Sequence, residues 1–164
     1  MATEILTAQR LREILDYDPF TGHFKWLVKI AHRVEIGHYA GSINKRGYVC
    51  IRANKRGYQA HRLAWLHFYG SWPDDQIDHI NGIKSDNRIV NLRDSTNCTN
   101  GQNKRSAYSH NKLGILGVKR KGLKFTTRIV INGRDTHLGT FPTAELAHAA
   151  YLAAKREHHA GCTI

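Results

Sequence analysis

The chain has 164 residues, 41% of them hydrophobic, a formal net charge of +12 at pH 7 and a mean hydropathy of −0.50. That length suits one medium domain or two small ones, and no apolar run approaches the roughly 18 residues that crossing a bilayer requires. Cys50, Cys98 and Cys162 are widely spaced and form no Cys-x-x-Cys pair, which argues against a structural zinc site and a disulfide framework. The opening MATEILTAQRL lacks the basic-then-apolar order of a secretory leader, so the expectation is a soluble, cytoplasmic protein. The basic balance points to a polyanionic partner, and it is uneven. Residues 1–103 carry 14 Lys and Arg against 10 Asp and Glu, whereas residues 104–164 carry 11 against 3. Seven basic residues and no acid lie between Lys112 and Arg134, a clustering that fits phosphate binding.

Thr7 can cap a short helix whose apolar stripe is Leu11, Ile14 and Leu15. DYDPFTG reads as a turn cluster and HFKWLV as a strand. Two similar pieces follow, NKRGYVCIRA (44–53) and NKRGYQAHRL (54–63), which read as strand entries joined by turns. From about Gln59 to Tyr69 the period becomes helical, with Leu63, Leu66 and Trp65 inward, and Gly70 and Pro73 end it. An asparagine-rich segment covers about 74–103, with a short helix after Asp94, and 105–116 reads as a linker. Strands are expected at Val118–Lys121, Phe125–Ile131 and Thr136–Leu138, with Asn132-Gly133 as a hairpin turn. Thr143 then caps an alanine-rich helix stopped by Gly161.

The chemistry concentrates in DHINGIKSDNRIVNL, Asp78 to Leu92. An aspartate and an asparagine carbonyl are hard oxygen ligands, and two of them with open positions suit Mg²⁺, which keeps water and binds phosphate oxygens. A histidine beside them titrates near neutrality and can take a proton from water. Adjacent strand residues point to opposite sides, so Asp78 and His79 need a bend or a turn to serve one site.

The order Asp-His, then Asn-Leu-Arg, then a helix bearing Asn, with LDYDPFTGHFKW and AHRLAWLHFYGSWP before it and TNCTNGQNK after, resembles the HNH endonucleases of the phage and intron-encoded homing type. The resemblance covers the first hundred residues. It implies a ribbon of two strands packed on a helix around one divalent metal. By position, Asp78 corresponds to a metal ligand, His79 to the general base, Asn91 to the asparagine that ties the loop together and orients the base, and Asn100 to the second ligand. Asn97 competes with Asn100 for that last role. The implied cofactor is one Mg²⁺ or Mn²⁺ per site, with no structural zinc. Asp86 and Asn87 read as turn-shaping, and His61 and Arg62 as packing or phosphate contacts.

The tail from about Gly117 to Gly161, with its Leu-Gly-Thr-Phe at 138–141 and alanine-rich helix, resembles the plant APETALA2/ethylene-response-factor DNA-binding domain. Phe125 stands where the plant domains usually carry tryptophan. Alternation puts Phe125, Thr127, Ile129 and Ile131 against the helix, and Thr126 and Arg128 on the other face with Lys119, Lys121 and His137. A basic sheet face of this kind fits the major groove. Arg128 is the candidate base contact. Lys119, Lys121, Lys124, Arg134 and, on the earlier helix, Arg62 are candidate phosphate contacts.

The expected fold class is α+β. A ββα-metal nuclease module occupies 1–104, with its core at about 74–104 and short strands and a helix before it. A linker follows at 105–116, and a three-stranded antiparallel sheet packed on one helix at 117–164. The expected function is site-specific cleavage of double-stranded DNA by a monomer or weak dimer in a bacterial or phage-infected cell, with no membrane partner. The rival readings are a non-catalytic DNA-binding regulator on a nuclease scaffold and a restriction-type enzyme.

Overall fold

A computed structural model describes residues 6–164; residues 1–5, part of the stretch read for a leader, lie outside the described residues. The chain divides into two compact units, 1–95 and 96–164. The architecture is α+β, with four helices and several small antiparallel sheets among the described residues.

In the first unit, helix α1 (Ala8–Ile14) starts where Thr7 Oγ1 accepts the Arg10 N–H at 3.2 Å, and it buries Leu11 and Ile14. Leu15, expected on the helix stripe, instead opens β1 (Leu15–Tyr17), which pairs antiparallel with β2 (Phe24–Trp26). Strand alternation buries Leu15, Tyr17, Phe24 and Trp26 and turns Asp16 and Lys25 outward. Strands β3 (Ser42–Ile43), β4 (Val49–Ala53) and β5 (Arg56–Gln59) form an antiparallel sheet in that order.

The two Asn-Lys-Arg-Gly-Tyr repeats turn differently. In the first, the Asn44 side-chain carbonyl accepts the N–H groups of Arg46 and Tyr48. In the second, Asn54 (φ 47°) and Lys55 (φ 61°) make a tight left-handed hairpin turn between β4 and β5. Helix α2 (Ala60–Tyr69) follows directly, buries Leu63, Ala64 and Leu66, and ends at Gly70.

Strands β6 (Gln76–His79) and β7 (Leu92–Ser95) then pair antiparallel, bracketing the asparagine-rich loop. Ile77 and Leu92 join Leu11, Ile14, Leu15, Ile51, Leu63 and Leu66 in one core. The hairpin that carries Asp78 and His79 is thereby anchored to the first unit by its apolar residues.

The second unit begins with α3 (Asn97–Gln102), capped by Thr96. Strands β8 (Val118–Lys121), β9 (Lys124–Ile131) and β10 (Arg134–Phe141) form a meander with β9 in the centre. Strand β10 is longer than the expected Thr136–Leu138, with a register shift between His137 and Gly139 that lets it run on. Helix α4 (Ala144–His158) is capped by Thr143 and stops short of Gly161. Val118, Ala144 and Ala147 form its small core, onto which Phe125, Phe141, Leu113 and Ile115 pack.

The C-terminal tail returns to α3. The Gly161 N–H donates to Gln102 Oε1 at 3.0 Å, the Thr163 hydroxyl donates to Asn103 Oδ1, and the buried Lys155 ammonium donates to the Lys104 carbonyl. Burial pushes the Lys155 ammonium below the usual lysine range. No helix among the described residues is long and apolar enough to cross a membrane.

A Cβ on Gly161 would lie 2.2 Å from the Thr99 carbonyl oxygen. Gly161→Ala should therefore lower stability by about 1–3 kcal/mol, read as a reduced denaturation midpoint with faster amide exchange in α3.

Candidate active site

Register brings the first functional pair together. Asp78 lies directly opposite Arg93 across the β6–β7 ladder. Its Oδ2 accepts both Arg93 Nε–H at 2.9 Å and Nη2–H at 2.7 Å. Asp78 is 6% exposed, so this partner offsets a desolvation penalty of several kcal/mol. His79, 5% exposed, occupies the next position on the opposite side of the strand. The strand ends there, since the Gly82 N–H turns back to the His79 carbonyl at 2.8 Å. The turn begins after His79, so the two side chains stay on opposite sides of the strand.

The asparagines answer to that turn. Asn91 Oδ1 accepts the Asn81 N–H at 2.9 Å, and Asn91 Nδ2 donates to the Asp86 carbonyl at 2.8 Å. Asn81 Nδ2 reaches Asp86 Oδ2 at 2.7 Å, and Arg88 clasps the same carboxylate. Those bonds, Arg88's first, hold the Asp86 carboxyl well below the usual range. The amide that faces the imidazole is that of Asn87, 2% exposed, with Oδ1 at 3.4 Å from His79 Nε2. Asn91's own amide is engaged within the loop.

The imidazole is walled by rings. His61 on α2 stands 4.9 Å from His79, centroid to centroid, at 81°, and Tyr48 stands 5.4 Å from His61 and 6.0 Å from His79. Burial lowers the proton affinity of His79, while Asn87 and Asp78 pull it up. His61 is lowered further, to about 3, by burial first and then by His79 and Arg62. Its Nδ1 is buried with no hydrogen-bond partner among the described residues. The segment from β5 to α3 thus presents a buried Asp-His pair, a loop knitted by asparagines, and a helix bearing Asn100.

Residues 58–102 match the family model described as HNH endonuclease.

The chain therefore carries an HNH endonuclease domain over those residues. No curated protein and no solved structure matches the chain significantly. The HNH segment spans β5 to α3, so Asp78, His79 and Asn91 lie in its first-unit part. Asn97 and Asn100 lie on α3, in the second unit.

Among the described residues no three His, Cys, Asp or Glu side chains converge on one point. The hard donors that the HNH segment offers are carboxylate and amide oxygens, a set that fits a hard divalent cation retaining most of its water.

The remaining candidates lie elsewhere. Arg62 donates to the Asp75 carbonyl at 3.1 Å and covers the Trp72 ring at 5.7 Å. In the second unit Lys119 pairs with Thr126, Lys121 with Lys124, and Arg128 with His137, so these side chains share one sheet face. Arg134 sits at the β9–β10 turn. Arg128 Nε is 3.3 Å from Asp135, and both side chains are more than half exposed. Sequence reasoning missed three contributors. In the sequence Asn87 reads as turn-shaping, Tyr48 as part of a repeated strand entry, and Arg93 as part of a motif. The signal for Arg93 was present, because pairing the strands across the loop puts it opposite Asp78.

The folded-state pKa of His61 lies below the unfolded value of about 6.5, so between about pH 3 and 6.5 the unfolded chain binds the extra proton. The contribution of His61 is fully present above about pH 6.5 and is lost as pH falls through that window, at about 1.4 kcal/mol per unit. Denaturant unfolding of His61→Phe should show a fall in stability from pH 7 to pH 5 that is about 2 kcal/mol smaller than in wild type.

Proposed function

We propose that this chain is a metal-dependent, site-specific DNA endonuclease of the homing type that nicks one strand per monomer. The observation that carries the reading is the buried Asp78–His79 pair at a strand end inside the HNH-matched segment, with the imidazole ring held between Asn87 and His61. In this reading His79 takes a proton from water. The hydroxide so formed makes the new P–O bond, the bond to the 3′ oxygen breaks, that oxygen takes a proton from solvent water, and the products carry 5′-phosphate and 3′-hydroxyl ends. Asp78 is the proposed ligand in the first unit, and Asn100 is the second ligand that the family resemblance implies, for one Mg²⁺ or Mn²⁺. A cation held there supplies charge stabilisation for the phosphoryl and leaving oxygens. One chain has one such centre, so a double-strand break takes a dimer or a second event. The proposed setting is DNA in the cytoplasm of a bacterial or phage-infected cell.

Site choice is assigned to the second unit. A generic cleavage centre contacts mainly the backbone, and specificity then rests on a tethered reader. The face bearing Lys119, Lys121, Lys124, Arg128 and His137, flanked by Arg134, is the proposed reader, with Arg62 as a further phosphate contact. The Arg128–Asp135 pair is no obstacle to base contact, since exposed pairs are worth only about 0–1 kcal/mol and a bidentate base contact about 1–3 kcal/mol.

A supercoiled-plasmid assay tests the cleavage. Wild type with Mg²⁺ should yield open circles, EDTA should abolish the conversion, and His79→Ala should slow it at least about 100-fold. Equal rates in wild type and variant would leave a DNA-binding regulator as the better reading. Binding assays test the reader. Arg128→Ala should weaken the preferred site by about 1–3 kcal/mol and relax discrimination there. Lys119→Ala should weaken all duplexes alike and reduce the log–log salt slope by about one.

A further inference from the structure

The first unit has an acid-free basic stretch of its own. Between Glu35 and Asp74 the chain carries Lys45, Arg46, Arg52, Lys55, Arg56 and Arg62 and no Asp or Glu. All of these but Arg62 lie on the β3–β4–β5 sheet or its turns and are exposed. Among the described residues none of those exposed cations is ion-paired. Cations gathered in this way repel one another, and a polyanion relieves that repulsion.

The sheet gives them a common side. Strand β4 buries Ile51 and Ala53, so Arg52 points the opposite way. Across the β4–β5 pair Arg52 faces Gly57, where a Cβ would meet nothing within 4 Å, so that side is open. Arg56, opposite the buried Ala53, starts from the other side. Lys45 and Arg46 lie in the turn at one end of β4, and Lys55 lies in the turn at the other. Lys55 stands at φ 61°, a conformation that glycine adopts more readily, so a cation occupies a tip where a smaller residue would fold at lower cost. Strand β4 has five residues, about 17 Å at about 3.3 Å each, against a rise of about 3.4 Å per phosphate along one DNA strand. Cations at both ends and in the middle therefore match phosphates spread over about five base pairs.

The first turn is also tied to the HNH-matched loop. Asn44 Oδ1 accepts the N–H groups of Arg46 at 2.9 Å and Tyr48 at 3.1 Å. Lys84 Nζ, from the asparagine-rich loop, donates to the Arg46 carbonyl at 3.1 Å and lies 5.0 Å over the Tyr48 ring. A DNA backbone gripped by Lys45 and Arg46 is thereby held in register with that loop.

We propose that Lys45, Arg46, Arg52 and Lys55 form a track for the phosphates of duplex DNA, so that the unit proposed to cut also lays the duplex along itself. The assignment rests on the nuclease reading for its partner, and its test requires no cleavage.

The test uses the full chain in EDTA and a labelled duplex of arbitrary sequence, with affinity read by anisotropy over about 50–200 mM salt. Each phosphate contact contributes about 0.9 to the log–log salt slope. The double variants Lys45→Gln with Arg46→Gln, and Arg52→Gln with Lys55→Gln, should each lower the slope by about 1.8, and Arg52→Gln alone by about 0.9. Arg56→Gln should leave it unchanged. In the wild-type chain, saturating duplex should protect the Lys45 and Lys55 amines from acetylation, read by mass spectrometry, and this decides the matter where a variant fails to fold. A wild-type slope in either double variant overturns the track, as does a loss in Arg56→Gln equal to that in Arg52→Gln, or full reactivity of either lysine. A chain that shows these slopes but does not nick plasmid in Mg²⁺ overturns the nuclease reading and leaves the track standing.

Discussion

Two neighbouring ionisable side chains, Asp78 and His79, are buried at the end of one short strand, and the first unit is arranged around keeping both satisfied. Strand alternation sends them to opposite sides, so each requires its own partner. The carboxylate takes Arg93 from the facing strand, in a pairing that only one register permits. A slip by one residue would set Asp78 against Leu92 or Asp94 and leave a buried charge uncompensated, which costs several kcal/mol. The imidazole takes Asn87 from the loop and two rings from α2 and the first repeat turn. Register, loop and helix packing are thus linked through two residues.

That arrangement explains the asparagine density of the loop. A loop that passes over a buried polar pair must satisfy its own backbone groups while leaving none of them to compete. Asn81, Asn87 and Asn91 do so with short side chains that both donate and accept, and Asp86 gathers Arg88 and Asn81 at one carboxylate. His61 departs from this economy, since its buried Nδ1 has no partner among the described residues, at a cost of about 1–3 kcal/mol. A polar ring kept at such a cost beside the proposed base is where packing and chemistry meet.

The sequence was most legible where the cause is local. Thr7 and Thr143 cap their helices by the bonds their residue type predicts, and Asn132, at φ 51°, turns the β9–β10 hairpin as Asn-Gly does. The Asp-His pair was legible because two chemical groups stood side by side. What escaped was non-local. Asn87 and Asn91 are alike in composition and neighbourhood, and only the fold decides which amide faces the imidazole. Tyr48 lies thirty-one positions before His79, so its contact with that ring follows from how the first repeat turn folds. Identical pentapeptides at 44–48 and 54–58 adopt different turns, because one is braced by its own asparagine side chain and the other is closed by β4–β5 pairing.

The length of α3 carries the last step. It has six residues, well under the roughly 12–15 at which an isolated helix becomes even marginal in water. None of its residues is fully buried, so an apolar face does not hold it. Polar bonds brace it: the Thr96 cap, the Gly161 bond to Gln102 and the Thr163 bond to Asn103, with Lys155 fixing the carbonyl of the residue after Asn103. The last three of these partners come from the C-terminal end of the chain. The helix that bears Asn100 belongs to the unit that carries the basic sheet, although the HNH match runs straight into it from the first unit. The proposed cutting and reading roles fall in different units, yet the helix that completes the matched segment is braced by bonds from the unit proposed to read the DNA.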